Sequence, residues 1–135
     1  LVWLWMRTRK RAPSPPELVE VSGSPLEEAL QQLRELKKAG YLERGEWKLY
    51  YSILTGIFKK YNERKYRSGF PQKTTDEMLV ALNQRLPKDL ISGLAGTLRV
   101  ADAVKFAKYR PEADQAEADI AVMEKTIKQQ DNLIP

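Results

Sequence analysis

The sequence predicts an all-α fold, a single compact bundle of about five helices, and three observations carry that expectation. Apolar residues recur at spacings of three and four in five separate stretches. Most of these stretches open on a helix-start signal, either Ser or Thr three residues before Glu, or Pro. No stretch sustains a two-residue alternation, and no Asn-Gly or Asp-Gly pair marks a hairpin. A chain of 135 residues is enough for one core and not comfortably for two. No internal repeat of fixed period occurs.

Ser24-Pro25-Leu26-Glu27 has the spacing of a capping box with Pro at the first helical position, so a helix starts there. Leu26, Ala29, Leu30, Leu33 and Leu36 line one face, and Lys37-Lys38-Ala39-Gly40 supplies a basic last turn and a glycine stop, giving Pro25 to Ala39. After a short connection, Tyr50, Ile53, Leu54, Ile57, Phe58 and Tyr61 form an aromatic-rich stripe on a helix from about Glu46 to Lys65. Ser68-Gly69-Phe70-Pro71 breaks the pattern. Thr74 and Glu77, again in capping-box spacing, restart it with Met78, Leu79 and Leu82 inward. Pro87 opens a fourth helix carrying Leu90 or Ile91, Leu94, Leu98, Ala101 and Val104 or Lys105. Gly93 and Gly96 each cost that helix about 0.5–1 kcal/mol, which close approach of another helix would offset. Pro111 ends this run and begins the fifth, with Ala116, Ile120, Met123 and Ile127 as its stripe. The helical domain is thus expected over residues 24–130, with residues 131–135 frayed.

Composition narrows function. The absence of Cys and His removes disulfides, thiolate nucleophiles, imidazole bases and Cys/His metal sites, so the expectation is a protein that is not an enzyme, with no cofactor and no metal. Ser52 and Ser92 have no His partner, and Gly93-Leu94-Ala95-Gly96 is no phosphate loop because no Gly-Lys-Ser/Thr follows it. Paired acids such as Glu27-Glu28, Asp76-Glu77 and Glu112/Asp114 fall in helix first turns, where the dipole accounts for them. The net charge of +5 is mostly local: Arg7, Arg9, Lys10 and Arg11 precede the first acid, and the remainder holds 19 cations against 18 acids, or +1.

The first eleven residues run apolar then basic, Leu1-Val2-Trp3-Leu4-Trp5-Met6 before Arg7-Thr8-Arg9-Lys10-Arg11. This is the reverse of a secretory signal and the order expected where a helix leaves a bilayer on its cytoplasmic side, with Trp3 and Trp5 in the interfacial belt. Six apolar residues do not span about 30 Å of hydrocarbon, so residues 1–11 are read as the cytoplasmic end of a longer transmembrane helix. Residues 12–23, with three prolines, two serines and a glycine, read as a stiff juxtamembrane linker.

Two basic–aromatic clusters are candidate binding surfaces. The first closes the fourth helix, where Lys105, Lys108, Tyr109 and Arg110 could dock an acidic protein partner, although dipole compensation and an Asp102–Lys105 pair by themselves explain the placement of the cations. In the second, Lys59, Lys60, Arg64, Lys65 and Arg67 interleave with Tyr61, Tyr66 and Phe70, an arrangement that suits an anionic surface, nucleic acid or lipid headgroups. Tyr61, however, continues the core stripe, and cations at a helix C-terminus are ordinary. A helix-turn-helix-like nucleic-acid module around Thr74 to Val104 is the alternative to a protein-docking module.

The strings Gly45-Glu46-Trp47-Lys48-Leu49-Tyr50-Tyr51-Ser52-Ile53-Leu54, Thr74-Thr75-Asp76-Glu77-Met78-Leu79 and Asp102-Ala103-Val104-Lys105-Phe106-Ala107-Lys108-Tyr109-Arg110-Pro111 together resemble the cytoplasmic C-terminal region of bacterial BatD-like proteins, the oxygen-tolerance or aerotolerance family. The resemblance covers about Ser24 to Met123, and the D-x-V-K-F-A-x-Y-R-P string is its most specific part. It implies a bacterial inner-membrane protein with this helical tail on the cytoplasmic side. It also implies MoxR-type AAA+ ATPases and von Willebrand factor A domain membrane proteins as partners in envelope or oxidative stress tolerance. It supplies no catalytic residues. Gly56, in mid-helix, departs from the polar helix former expected there and questions the regularity of that helix.

Overall fold

A computed structural model describes residues 23–135 and arranges them as α1 (Pro25–Lys38), α2 (Trp47–Tyr66), a single 3-10 turn (Phe70–Gln72), α3 (Thr75–Leu82), α4 (Lys88–Ala107) and α5 (Ala113–Leu133). The chain is an all-α bundle of five helices with no strand among the described residues. The expected membrane exit over residues 1–11 and residues 12–22 of the expected linker lie outside the described residues. Among the described residues no helix is long and apolar enough to cross a membrane.

Both expected capping boxes form. Ser24 Oγ accepts from the Glu27 amide while Glu27 accepts from the Ser24 amide, each at 3.1 Å, and Thr74 and Glu77 repeat the exchange at 3.2 and 2.9 Å. α1 stops at Ala39 and Gly40 takes a left-handed φ of 76°. A side chain there would press on the Arg44 guanidinium, which reaches back to cap the Ala39 carbonyl at 2.8 Å and lies over the Tyr41 ring.

α2 is the centre of the bundle, packed against α1, α4, α5 and the 3-10 turn. Its burial exceeds the single stripe that the spacing predicts. Tyr51, Thr55 and Asn62 are buried in addition to Tyr50, Leu54, Ile57, Phe58 and Tyr61, whereas Ile53 is only half-buried. Phe70, in the segment that breaks the helical pattern, folds back with its ring 6.1 Å from that of Phe58. Gly56 does not interrupt the helix; it faces solvent, and a Cβ there would meet nothing within 4 Å. Close packing is not what places the glycines of α4 either: a Cβ on Gly93 would make ordinary contact with Val122 at 3.6 Å, and one on Gly96 would meet nothing.

Polar side chains fix α2 against α5. The Tyr50 hydroxyl donates to the Ala116 carbonyl (3.1 Å), Tyr51 to Asp119 Oδ2 (2.6 Å), Tyr61 to Asp131 Oδ1 (2.6 Å) and Tyr66 to the Ile134 carbonyl (2.6 Å). Asn62 Oδ1 accepts from Gln130 Nε2, and its own amide donates to the Phe58 carbonyl. Partner numbers rise together on both helices, so α2 and α5 run parallel. Asp119, 2% exposed, gathers three donors: Tyr51, Thr97 Oγ1 of α4 at 3.1 Å and Gln115 Nε2 at 2.9 Å. Burial, followed by the hydrogen bond to Asp119, pushes the Tyr51 hydroxyl far above the usual phenol range. Burial and then the charges of Asp119 and Glu117 push Tyr50 up to about 12. Both phenols therefore stay protonated donors at neutral pH.

The end of the chain departs from expectation. α5 runs to Leu133, Gln130 and Ile134 are buried, and Asp131 is held by Tyr61 and Lys65. These long-range polar contacts hold residues 131–134, which helix periodicity alone leaves to fray.

Replacing Asp119 by Ala strands three donors in the core and is expected to lower unfolding stability by about 3 kcal/mol, whereas Tyr51→Phe, which removes a donor and leaves Asp119 two others, costs about 1 kcal/mol. Urea denaturation followed by circular dichroism measures both; equal losses would contradict the network. Gly56→Ala, on an open helical surface, is expected to raise stability by about 0.5–1 kcal/mol in the same experiment.

Candidate functional site

The first basic–aromatic cluster sits where α4 ends and the chain turns toward α5. Lys108 caps α4 with a left-handed φ of 58°, a conformation that costs a residue with a Cβ about 1–2 kcal/mol, and the Tyr109 amide donates to the Ala103 carbonyl at 3.1 Å. This reversal projects the aromatics outward. Phe106 is 81% and Tyr109 50% exposed, flanked by exposed Lys108 and Arg110, while Pro111 is buried and anchors the turn. Tyr109 and Arg110 therefore share one surface with Lys108. Phe106, not among the expected site residues, is its most prominent apolar group. Its position two residues after Val104 and five after Ala101, off the inward stripe, was the available signal.

Lys105 differs from its neighbours. Its side chain turns inward, half-buried, with Nζ 3.3 Å from Thr55 Oγ1 of α2; that hydroxyl in turn donates to the Tyr51 carbonyl at 3.0 Å. Burial lowers the pKa of Lys105, the Lys59 charge lowers it further, and Asp102 opposes both. Lys105 and Lys59 thus belong to one cleft of about 390 Å³ between α2, α3 and α4, which Lys73 and Phe106 also line.

The second cluster does not stay together. Lys60 and Arg64 both pair with Glu28 of α1, at 3.4 and 3.1 Å, and Lys65 pairs with Asp131 of α5 at 2.7 Å. Arg67 takes the left-handed position that caps α2, with φ 54° and its amide on the Glu63 carbonyl at 3.0 Å. Only Lys59 joins the first cluster. The expected anionic-surface patch is therefore divided among an α1 contact, an α5 contact, a helix cap and the cleft, and Tyr61 and Phe70, read beside it as stacking rings, are core residues. The acids that dismantle it lie 32 to 66 residues away in the chain, beyond any local pattern.

Among the described residues no three Asp or Glu side chains gather in a way that could hold a metal ion. An exposed pair, Arg99–Asp76 at 3.3 Å, also joins α4 to α3. No family model matches the chain, and neither the curated proteins nor the solved structures with which it was compared yielded a match.

Burial alone would raise the Asp131 pKa, but hydrogen bonds from Lys65 and Tyr61 outweigh it and hold the carboxyl below its ordinary value. A group depressed on folding stabilises above its unfolded pKa, about 4, and that stabilisation disappears as pH falls through the folded value. Asp131→Asn is therefore expected to flatten the loss of stability below about pH 4 relative to the parent chain, measured by thermal unfolding from pH 7 to pH 2.

Proposed function

We propose that this chain is a non-catalytic interaction module, the cytoplasmic domain of a BatD-like bacterial inner-membrane protein, tethered through residues 1–11. It presents the C-terminal corner of α4 to a protein partner. The observation that carries the reading is the exposure of Phe106 and Tyr109 beside Lys105, Lys108 and Arg110, none of which forms an ion pair among the described residues. Large aromatic side chains left in water next to Arg are the residue types that carry binding energy at protein interfaces. Elsewhere the apolar residues of α4 are buried or half-buried, so full exposure of a large one is confined to one end of the helix. Lys108 supports the same reading: Gly would relieve its backbone, and Lys keeps a cation beside the aromatics at some cost.

The family resemblance directs the choice of partner, a MoxR-type AAA+ ATPase first and a von Willebrand factor A domain membrane protein second, in envelope or oxidative stress tolerance. A purified MoxR-type ATPase from the same cell, titrated onto the immobilised chain, tests the proposal. Replacing Lys105, Tyr109 and Arg110 together by Ala, and separately Phe106 by Ala, is expected to weaken binding at least about tenfold. Helical content by circular dichroism stays unchanged. Binding unaltered in folded variants would remove this surface from the proposal.

A further inference from the structure

The cleft beside the exposed corner has a charge distribution that the fold leaves unbalanced. Lys59 of α2, Lys73 after the 3-10 turn and Lys105 of α4 line one cleft, and none of the three forms an ion pair among the described residues. The single acid in the lining, Asp102, is tied to the Thr75 hydroxyl at 2.7 Å. The rest of the lining is part apolar and part hydroxyl: Met78 and Leu98 are part of the buried core and Phe106 is exposed, and they stand with Thr55, Thr74 and Thr75. Three positive charges and one negative charge thus surround a small concavity that also offers apolar and hydroxyl surface. Lys105 spends its ammonium on a neutral hydroxyl, Thr55, although stronger acceptors are what an ammonium favours.

We infer that this cleft receives an acidic segment of the partner protein, with one or two carboxylates among Lys59, Lys73 and Lys105 and an adjacent apolar side chain laid over Met78 and Leu98 against Phe106. The inference rests on the interaction-module reading and specifies the chemistry of the partner. The cleft volume of about 390 Å³ is at the small end of ligand pockets and suits one or two side chains. A nucleic-acid strand needs cations in a row along its backbone, whereas here the neighbouring Lys60, Arg64 and Lys65 are turned away into pairs with Glu28 and Asp131. Charge complementarity among closely spaced groups chiefly gives specificity and salt-sensitive association, so the contact weakens as salt rises.

The test uses the full 135-residue chain labelled with ¹⁵N and titrated by NMR with three probes. These are a blocked hexapeptide alternating glutamate and leucine, the same peptide with glutamine for glutamate, and inorganic phosphate. The glutamate peptide is expected to shift the amides of Thr75, Met78, Asp102 and Lys105 to saturation. The glutamine peptide and phosphate bind at least tenfold more weakly. Lys59→Gln and Lys105→Gln each weaken the glutamate peptide about fivefold or more, Arg67→Gln does not, and the dispersed spectrum of each variant verifies its fold. Equal binding of the two peptides, phosphate matching the glutamate peptide, an oligonucleotide or anionic vesicle displacing it from these amides, or indifference to both lysine substitutions would overturn the inference. Loss of ATPase binding in Phe106→Ala with no peptide binding in the cleft would overturn the cleft alone. An ATPase that ignores every corner variant, with the peptide still bound, would overturn the broader reading instead.

Discussion

A central helix that is buried on several faces and also rich in tyrosine imposes one demand on the rest of the structure: each of its polar groups must meet a partner inside the bundle. An unmatched buried hydroxyl or amide costs about 1–3 kcal/mol, so a handful of failures would consume the stability of a domain this size. α2 meets the demand mostly through α5. Tyr50, Tyr51, Tyr61, Asn62 and Tyr66 find acceptors or donors spread from Ala116 to Ile134. Apolar packing tolerates small slides between helices, but these contacts do not, because a shift by one residue would misplace several of them together. The polar pairs thus set the register, and the apolar residues supply the greater part of the driving force. One atom falls outside this matching: Gln130 Oε1 is buried without a partner among the described residues.

The same network positions the C-terminal corner of α4. Thr97 brings α4 to Asp119, the acid that already holds Tyr51, so a single carboxyl group links α2, α4 and α5. From that anchor α4 continues for ten residues to its left-handed cap at Lys108. α3 is short and is joined to α4 at the cleft by the Thr75–Asp102 hydrogen bond. The cleft exists because α2 and α4 are fixed at a distance set elsewhere while α3, with only eight residues, closes part of the gap. Rigid support of this kind lets a small contact surface bind without first being ordered, which reduces the cost of association.

Much of the fold was legible because its signals are local. Ser24/Glu27 and Thr74/Glu77 announced two helix starts correctly, and the three- and four-residue spacing identified five helices without an alignment. What sequence spacing missed is nonlocal. Tyr51, Thr55 and Asn62 fall at helical spacing from Leu54 and Phe58, but their polar groups hide that they are core residues, and the partners those groups meet, Asp119, Lys105 and Gln130, lie 50 to 68 residues onward. The same blindness affected the charges. Lys60, Arg64 and Lys65 form a basic run when read along the chain, yet their partners come from α1 and α5. Conversely, Lys73 attracts no notice in sequence, standing alone after a proline turn, and only the return of α3 across α4 brings it to the cleft with Lys59 and Lys105.

For a nearly neutral body, net charge therefore says little about what a surface can bind. At physiological salt a charge is felt over roughly 8–10 Å, about the width of one helix, so the quantity that matters is the local balance after internal pairing. Glu28 is shared by two cations of α2 and leaves one positive charge between them, and Asp131 neutralises a third cation, whereas Asp102 answers for three lysines around the cleft and is already engaged by Thr75. The two helix ends make the contrast sharper. Arg67 and Lys108 both cap a helix in the left-handed conformation, where a cation also offsets the negative end of the helix dipole. At Arg67 that compensation suffices, since Tyr61 and Phe70 are core residues and the half-buried Tyr66 is bonded to the Ile134 carbonyl. At Lys108 the adjoining Phe106 and Tyr109 point into water, and dipole compensation gives no reason for them to be there. Exposed aromatics beside a locally uncompensated positive field are costly for an isolated domain and useful to one that closes on a partner.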